Sequence, residues 1–286
     1  MHKKTGQVAE QRVDRERWEH LSQADARHGH IDDVLGRYKA DEQWRLVTGW
    51  RPDLRGKRIL KTDLREEAFG ADHILFAPEL RESLVTAVDV AQTTVKAAAA
   101  RQRQRGLTQH YVCGDITALP VAAQTIDIII STSTLDHFTT REAFAAALRE
   151  LRRVLKPRGS LIITINNRWD LNYYLMVRVG QLLGMVPYPV QFYTRGQLTA
   201  RLNECGLQVV AGDHCVHIIS PLNTVLLGLR KILPSHIMNH VAERCIAFSR
   251  WLGGKTGTKW LTGWFIAVHC VLSSQEQERR QGPTGG

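Results

Sequence analysis

Residues 125–138 read TIDIIISTSTLDHF. From Ile126 to Ile130 the stretch is apolar and β-branched apart from Asp127, the composition of a short strand buried on both faces in a parallel sheet. It then breaks into Ser131, Thr132, Ser133 and Thr134, followed by Leu135, Asp136, His137 and Phe138. Small hydroxyls, a carboxylate and an imidazole therefore crowd the carboxyl end of a central strand. Open α/β sheets bind their ligands outside such ends, so chemistry is expected here.

Upstream of this stretch, residues 58–63 predict the first core strand, and 64–70 a loop or helix start carrying Glu66 and Glu67. Residues 83–90 predict a second strand ending in Asp89, and 92–105 an alanine-rich helix with a basic end that suits the helix dipole. A third short strand, 109–113, closes on Gly114 and Asp115. Downstream, 142–155 predict an amphipathic helix with Phe144, Leu148, Leu151 and Leu155 on one face. A turn at 156–159 then leads to a buried strand at 160–165, ending in Asn166 and Asn167. This alternation of strand and helix predicts a doubly wound, Rossmann-like three-layer sandwich on a mostly parallel sheet.

The flanks differ in character. Residues 1–57 are charge-dense, with Trp18, Leu21, Tyr38, Trp44 and Trp50 at helical intervals, and predict an N-terminal helical cap closed by the breaker cluster at 51–56. Residues 169–184 and 194–205 read as helices, 207–211 and 216–219 as pieces of a sixth strand, and 264–272 as the last strand. Residues 223–252 form a helical insertion before that strand. Residues 58–272 make up the α/β domain, and the tail from 273 to 286 is expected to be disordered.

The chain has 286 residues, 43% of them hydrophobic and 23% charged, which is ordinary for a soluble globular protein. The cysteines at 113, 205, 215, 245 and 270 are scattered, with no CxxC pair, which fits plain core thiols in a reducing cytoplasm. Residues 1–17 are polar and charged, so no secretory leader is expected, and the longest apolar run, 260–272, is too short to span a bilayer. No metal site is expected. A net charge of +10 favours an anionic partner, but Lys and Arg do not gather into an aromatic-studded patch, so nucleic acid is not the expected one.

The ordered set of signals resembles the class I S-adenosylmethionine-dependent methyltransferases. The features are an acid ending the second strand (Asp89), Gly114-Asp115 after the third, IDIIISTSTLDHF, then LRELRRVLKPRGSLIITI and YTRGQLTARLNECGLQVV. The last two are similar to the later elements of the type 11 methyltransferases. KTDL after the first strand and STLDHF after the fourth are similar to a bacterial branch of that family. The family's glycine-rich first loop is missing: KTDLREEAFG holds one glycine, Gly70.

The resemblance implies S-adenosyl-L-methionine as cofactor and a seven-stranded sheet. It implies that Asp89, with Val90 beside it, accepts hydrogen bonds from the ribose hydroxyls, each worth about 1.5–3 kcal/mol. The competing reading of Asp89 is an N-cap for the next helix. Asp115, with the Ile116 amide, would read the adenine edge, or else simply shape a turn. Thr62, Asp63 and Glu67 stand where the glycine loop would be, as cofactor contacts whose carboxylates could hold the methionyl ammonium; Lys61 argues against that role, with Asp63, Glu67 and Asp136 as its own candidate partners. Ser131 would line the methionine arm, or else end the strand with its hydroxyl satisfying its own backbone. His137 is the candidate general base, oriented by Asp136, with capping or packing as its alternative.

Asn166, Asn167, Trp169, Tyr173 and Tyr174 are candidate acceptor contacts. The expected activity is in-line methyl transfer to a small-molecule or lipid-like acceptor, with water excluded by the N-terminal helices and the insertion. That insertion is apolar with basic flanks, which suits peripheral contact with a membrane. The alternatives are a non-catalytic binding module, motivated by the absent glycine loop, and an NAD(P)-dependent oxidoreductase, for which KTDLREEAFG lacks the Gly-x-Gly-x-x-Gly. The oligomeric state is not legible.

Overall fold

The computed structural model describes residues 2–28, 33–70, 74–107, 109–218, 235–253, 257 and 259–273. Two helices, α1 (His2–His28) and α2 (Asp33–Trp50), precede β1 (Arg58–Thr62) and the short α3 (Arg65–Phe69). Then follow β2 (Leu84–Asp89), α4 (Gln92–Gln104), β3 (His110–Cys113), β4 (Ile126–Thr132), α5 (Arg141–Val154) and β5 (Leu155–Asn166). The chain continues through α6 (Leu171–Leu182), α7 (Arg195–Glu204), β6 (Leu207–His217), α8 (Ser235–Gly253), α9 (Lys259–Thr262) and β7 (Gly263–Leu272).

The seven strands lie in the order β3-β2-β1-β4-β5-β7-β6. All pairings are parallel except those of β7, which runs against both neighbours. Alternate residues of the central strands feed two opposite core layers, as the two-residue period of a strand requires. Leu60, Ile129, Leu161, Ile163 and Ile165 pack with Phe144, Leu148 and Leu151 of α5. Ile59, Ile128, Ile130 and Ile162 pack with Val47 of α2 and with Val95 and Ala98 of α4. Coverage on both faces is why β4 reads as a nearly continuous apolar run. Its one acid, Asp127, stays at the strand's start, where it accepts from the Arg58 N–H (2.9 Å) and from Lys156 Nζ (2.8 Å).

Local caps set the helix starts. Thr140 Oγ1 accepts from the Ala143 N–H of α5, and Thr194 and Gln197 form a reciprocal capping box on α7. Asp170 caps α6 through the Tyr173 N–H.

Two expectations need correction. Residues 156–159 are not a separate turn: β5 begins at Leu155, and pairing jumps from Ile126↔Leu155 to Ile128↔Ser160, so the segment bulges within the strand. The sixth strand is continuous through 212–215, because β7 pairs along all of it, with one register shift between Val209 and Ala211. The polar Gly-Asp-His there imitates a break. The described part of the predicted insertion is α8, whose Arg250 bonds Glu42 of α2 (3.0 Å). Residues 223–234 and the tail beyond Ser273 lie outside the described residues.

Candidate active site

The strand order reverses between β1 and β4, and a cavity of about 370 Å³ opens at their carboxyl ends. That size is within the range of small-ligand sites. β1 and β4 are tied at this point by hydroxyls: Thr62 Oγ1 donates to Ser131 Oγ (2.9 Å) and lies 2.8 Å from Thr134 Oγ1.

The turn after β1 is built without glycine. Asp63 adopts a left-handed backbone, φ 65°, which aspartate tolerates better than most residues. Its Oδ1 accepts from the Arg65 N–H (2.9 Å), which starts α3. Beneath the turn Lys61 is almost wholly buried. Its Nζ donates to the Asp63 carbonyl (2.7 Å) and pairs with the buried Glu67 carboxylate at 2.6 Å. Of the three candidate partners of Lys61, Glu67 therefore takes the charge and Asp63 the backbone contact. Arg101 of α4 then donates to the Glu67 and Gly70 carbonyls (2.7 and 2.9 Å) and closes the C-terminus of α3.

Asp89 stands at the tip of β2 and ties two loops together. Its Oδ2 accepts from the Leu64 N–H (2.9 Å) and its Oδ1 from the Ala91 N–H (2.8 Å). Burial first, then the Asp63 carboxylate, raises Asp89 above the ordinary carboxylate range, against those two N–H bonds. It does not cap α4, whose N-cap is Ala91. The cap comes from α1: Glu19 accepts from the Thr93 N–H (3.2 Å) and from the Thr93 hydroxyl. Burial would raise Glu19, but the Thr93 bonds outweigh it and hold the carboxyl below its usual range. Asp25 grips Arg65 with both oxygens (2.6 and 3.2 Å), and Ser22 Oγ meets Thr94 Oγ1 at 2.6 Å. α1 is thus fastened over the site chiefly by polar contacts. Asp115, after β3, accepts on Oδ1 from the Thr117 N–H and hydroxyl (2.8 and 2.7 Å), an Asx turn beside Ile116.

Beyond β4 the wall changes character. His137 Nδ1 lies 2.9 Å from the Pro189 carbonyl. A carbonyl only accepts, so Nδ1 carries the proton and Nε2 of the neutral ring is a bare acceptor. The imidazole packs against Trp18 (centroids 4.8 Å apart) and Tyr188 (5.6 Å). Pro189 therefore orients His137, not Asp136 as expected, because the Asp136 carboxylate is turned to Asn166 Nδ2. Burial raises Asp136 above its ordinary range. Gln43 of α2 donates to Thr164 Oγ1 (3.2 Å) nearby.

A family model described as "Methyltransferase domain" matches residues 68–163. Residues 68–163 carry a methyltransferase domain. It is 26% identical over 168 residues to a ubiquinone biosynthesis O-methyltransferase of Coxiella burnetii, covering 56% of this chain and 68% of that one. The same-named protein of Parvibaculum lavamentivorans is 24% identical over 130 residues, covering 44% of this chain and 50% of the relative's length. Among solved structures, magnesium protoporphyrin IX methyltransferase from Synechocystis, with bound S-adenosylhomocysteine, aligns over 91% of this chain and 99% of its own. Its TM-score is 0.57 at 12% identity, a likeness of fold. The cofactor of this methyltransferase family is S-adenosylmethionine.

Thr62, Asp63, Glu67, Asp89, Val90, Asp115, Ile116 and His137 all line this cavity. Ser131 does not: its pairing with Thr62 seats it inside the sheet, and Thr132, Ser133 and Thr134 form that part of the wall. Of the acceptor-side candidates, Asn166 and Tyr173 reach the wall. Asn167 is fully buried and structural, donating to the Trp260 and Gly263 carbonyls (both 2.8 Å). Trp169 packs on Trp260, and Tyr174 on Phe192. α8 contributes no wall residue among those described; the cover comes from α1 and α2 through Trp18, Ser22, Lys39 and Gln43. Gln43 and Tyr188 carried no motif in the sequence. Trp18 stood out only by its helical spacing.

Proposed function

We propose that the chain is an enzyme that moves a methyl group from S-adenosylmethionine to a small-molecule or lipid-like acceptor by direct in-line displacement. The observation that carries this reading is the cavity at the β1–β4 crossing, bounded by acids at the tips of β2 and β3. S-adenosylmethionine supplies an electrophilic methyl on a sulfonium, which leaves as a neutral thioether.

The chain's residues take the remaining tasks. Asp89 uses one lone pair of each oxygen on Leu64 and Ala91, which leaves acceptor capacity for a ribose diol. Asp115 and the Ile116 amide take the adenine edge. The Glu67 charge is engaged by Lys61, so Asp63 and the Thr132–Thr134 segment serve the methionine arm, and Glu67 supports them from beneath. His137 Nε2 receives the acceptor's proton as the new bond to carbon forms. Alignment by the cavity supplies much of the rate, since orientation alone lowers such barriers by about 7–11 kcal/mol. The left-handed turn at Asp63 bends the loop after β1 tightly without glycine, which supports the catalytic reading over a non-catalytic module.

The relatives' names as O-methyltransferases favour an oxygen nucleophile. A lipid-like acceptor is favoured by the outer face of α6, where Leu171, Leu175 and Leu182 stand 61%, 62% and 87% exposed. The same helix sends Tyr173 into the cavity wall. With the net charge of +10, that face suits an anionic bilayer surface. No described helix is long and apolar enough to cross a membrane.

Incubation with methyl-labelled S-adenosylmethionine and cell extract, split into aqueous and lipid fractions, tests the activity. A labelled product that disappears with Asp89→Ala supports it; no labelled product in either fraction contradicts it. Flotation with anionic liposomes tests the membrane contact separately, and protein left wholly in solution removes that part alone.

A further inference from the structure

Three buried acceptor oxygens without a partner gather on one part of the cavity wall. Among the described residues, Gln43 Oε1, Asp136 Oδ1 and Asn166 Oδ1 are buried with no hydrogen bond. All three side chains are at least nine-tenths buried, and all three residues line the cavity. They are neighbours. Asn166 bonds Asp136, and Gln43 bonds Thr164, which shares a face of β5 with Asn166. Buried polar atoms are ordinarily satisfied, so three orphans on one wall need a reason.

The orphans share a sign: each is an acceptor. The amide nitrogens of Gln43 and Asn166 already donate, to Thr164 and Asp136. Of the cavity's cations, Lys61 is engaged by Glu67, Lys39 by Glu66 (2.7 Å) and Arg65 by Asp25, and Arg15 lies toward Cys113 on the β3 side. An anionic ligand group would meet acceptors and a carboxylate here, and a purely apolar group would leave all three unsatisfied. Around them stand Tyr173, Tyr188, Val190, Trp264 and Phe265, an apolar surround for the rest of a ligand.

We propose that Gln43, Asp136 and Asn166 form the acceptor's head-group subsite, selecting a polar head that brings at least two hydrogen-bond donors and no negative charge. Vicinal hydroxyls and an amine share this chemistry. The inference rests on the methyltransferase reading and adds the class of acceptor to it. The cluster sits across the β4–β5 tips from Asp89 and Asp115, so it belongs to the acceptor end and not to the nucleoside end.

Calorimetric titration of the full chain loaded with S-adenosylhomocysteine tests it, with catechol, benzylamine and benzoate as probes. Catechol or benzylamine should bind at least ~10-fold more tightly than benzoate, and whichever of the two wins identifies the head. Gln43→Met and Asn166→Leu, which remove the amide and its acceptor oxygen, should each weaken that probe ~5–10-fold while leaving S-adenosylhomocysteine affinity in place. Using two variants guards against one that fails to fold. Benzoate binding as tightly as the other two overturns the proposal, as does binding of none of them. It also fails if S-adenosylhomocysteine affinity drops in step with the probes, because the cluster would then serve the cofactor. A chain that does not bind S-adenosylhomocysteine at all breaks the proposed function itself, a distinct result.

Discussion

The β1–β3 tips and the β4–β5 tips are two halves of one cavity, and they treat their polar groups differently. On the first half, Asp63, Asp89 and Asp115 each accept backbone N–H groups, and Lys61 and Glu67 neutralise each other below them. On the second, Asp136, Asn166 and Gln43 each keep a buried oxygen with no partner. A half that is satisfied before ligand arrives can hold one invariant partner in a set geometry. A half left short of donors favours whichever ligand completes it, the division of labour that the proposed donor and acceptor subsites would use.

The contrast can be broken most forcefully at Lys61. Lys61→Met strands the Glu67 carboxylate in the core and should cost about 3–5 kcal/mol of unfolding free energy. Adding Glu67→Met should recover most of it, because an apolar pair of similar volume often matches a buried ion pair. Denaturant unfolding of both variants measures this, and a double variant as unstable as the single one would mean that the pair carries stability of its own.

A smaller effect is expected at Asp170, which caps α6 behind the β4–β5 half. Burial, against the N–H bonds of Tyr173 and Asn172, pushes its pKa up to about 6. The folded chain therefore binds a proton more readily than the unfolded chain, whose Asp titrates near 3.9. Stability from this residue is full below about pH 4 and declines as the pH rises through about 6. Asp170→Asn keeps the cap and removes the charge. It should stabilise by about 1–3 kcal/mol at pH 7, with the gain vanishing near pH 4. A gain that persists at pH 4 would rule out the charge as its source.

The smallest effect concerns the cover. Glu19→Ala removes the α1 cap on α4 and should cost about 1 kcal/mol. Because α1 also lines the cavity, release of S-adenosylhomocysteine should quicken in stopped-flow displacement. An unchanged rate would detach α1 from ligand exchange.

Much of the first half was legible from the chain. Asp89 and Asp115 follow short apolar strands in order, and an acid at a strand tip is a local pattern. The β4 run was equally plain, because burial on both faces removes polar residues from the strand itself. The second half depends on partners distant in sequence: Gln43 meets Thr164 across 121 positions, and His137 meets Pro189 across 52. No periodicity or motif reports such meetings. Lys61 was visible as an anomaly, but which of three acids it joined needed the α3 turn to be built. The cover was assigned in part to residues 223–252, since apolar helices there look like a lid. The described part packs on α2 and β6 instead, and Trp18 of a charge-rich helix does the covering.

In the proposed function the β1–β3 half binds a sulfonium nucleoside through Asp89. Calorimetric titration of S-adenosylhomocysteine and of NADH into the wild-type chain and Asp89→Ala tests it most directly. Micromolar binding of S-adenosylhomocysteine, none of NADH, and a loss of at least ~150-fold in the variant are expected, because two charge-assisted hydrogen bonds of about 1.5–3 kcal/mol each are lost. Equal affinity of wild type and variant, or binding of NADH in place of S-adenosylhomocysteine, would contradict it.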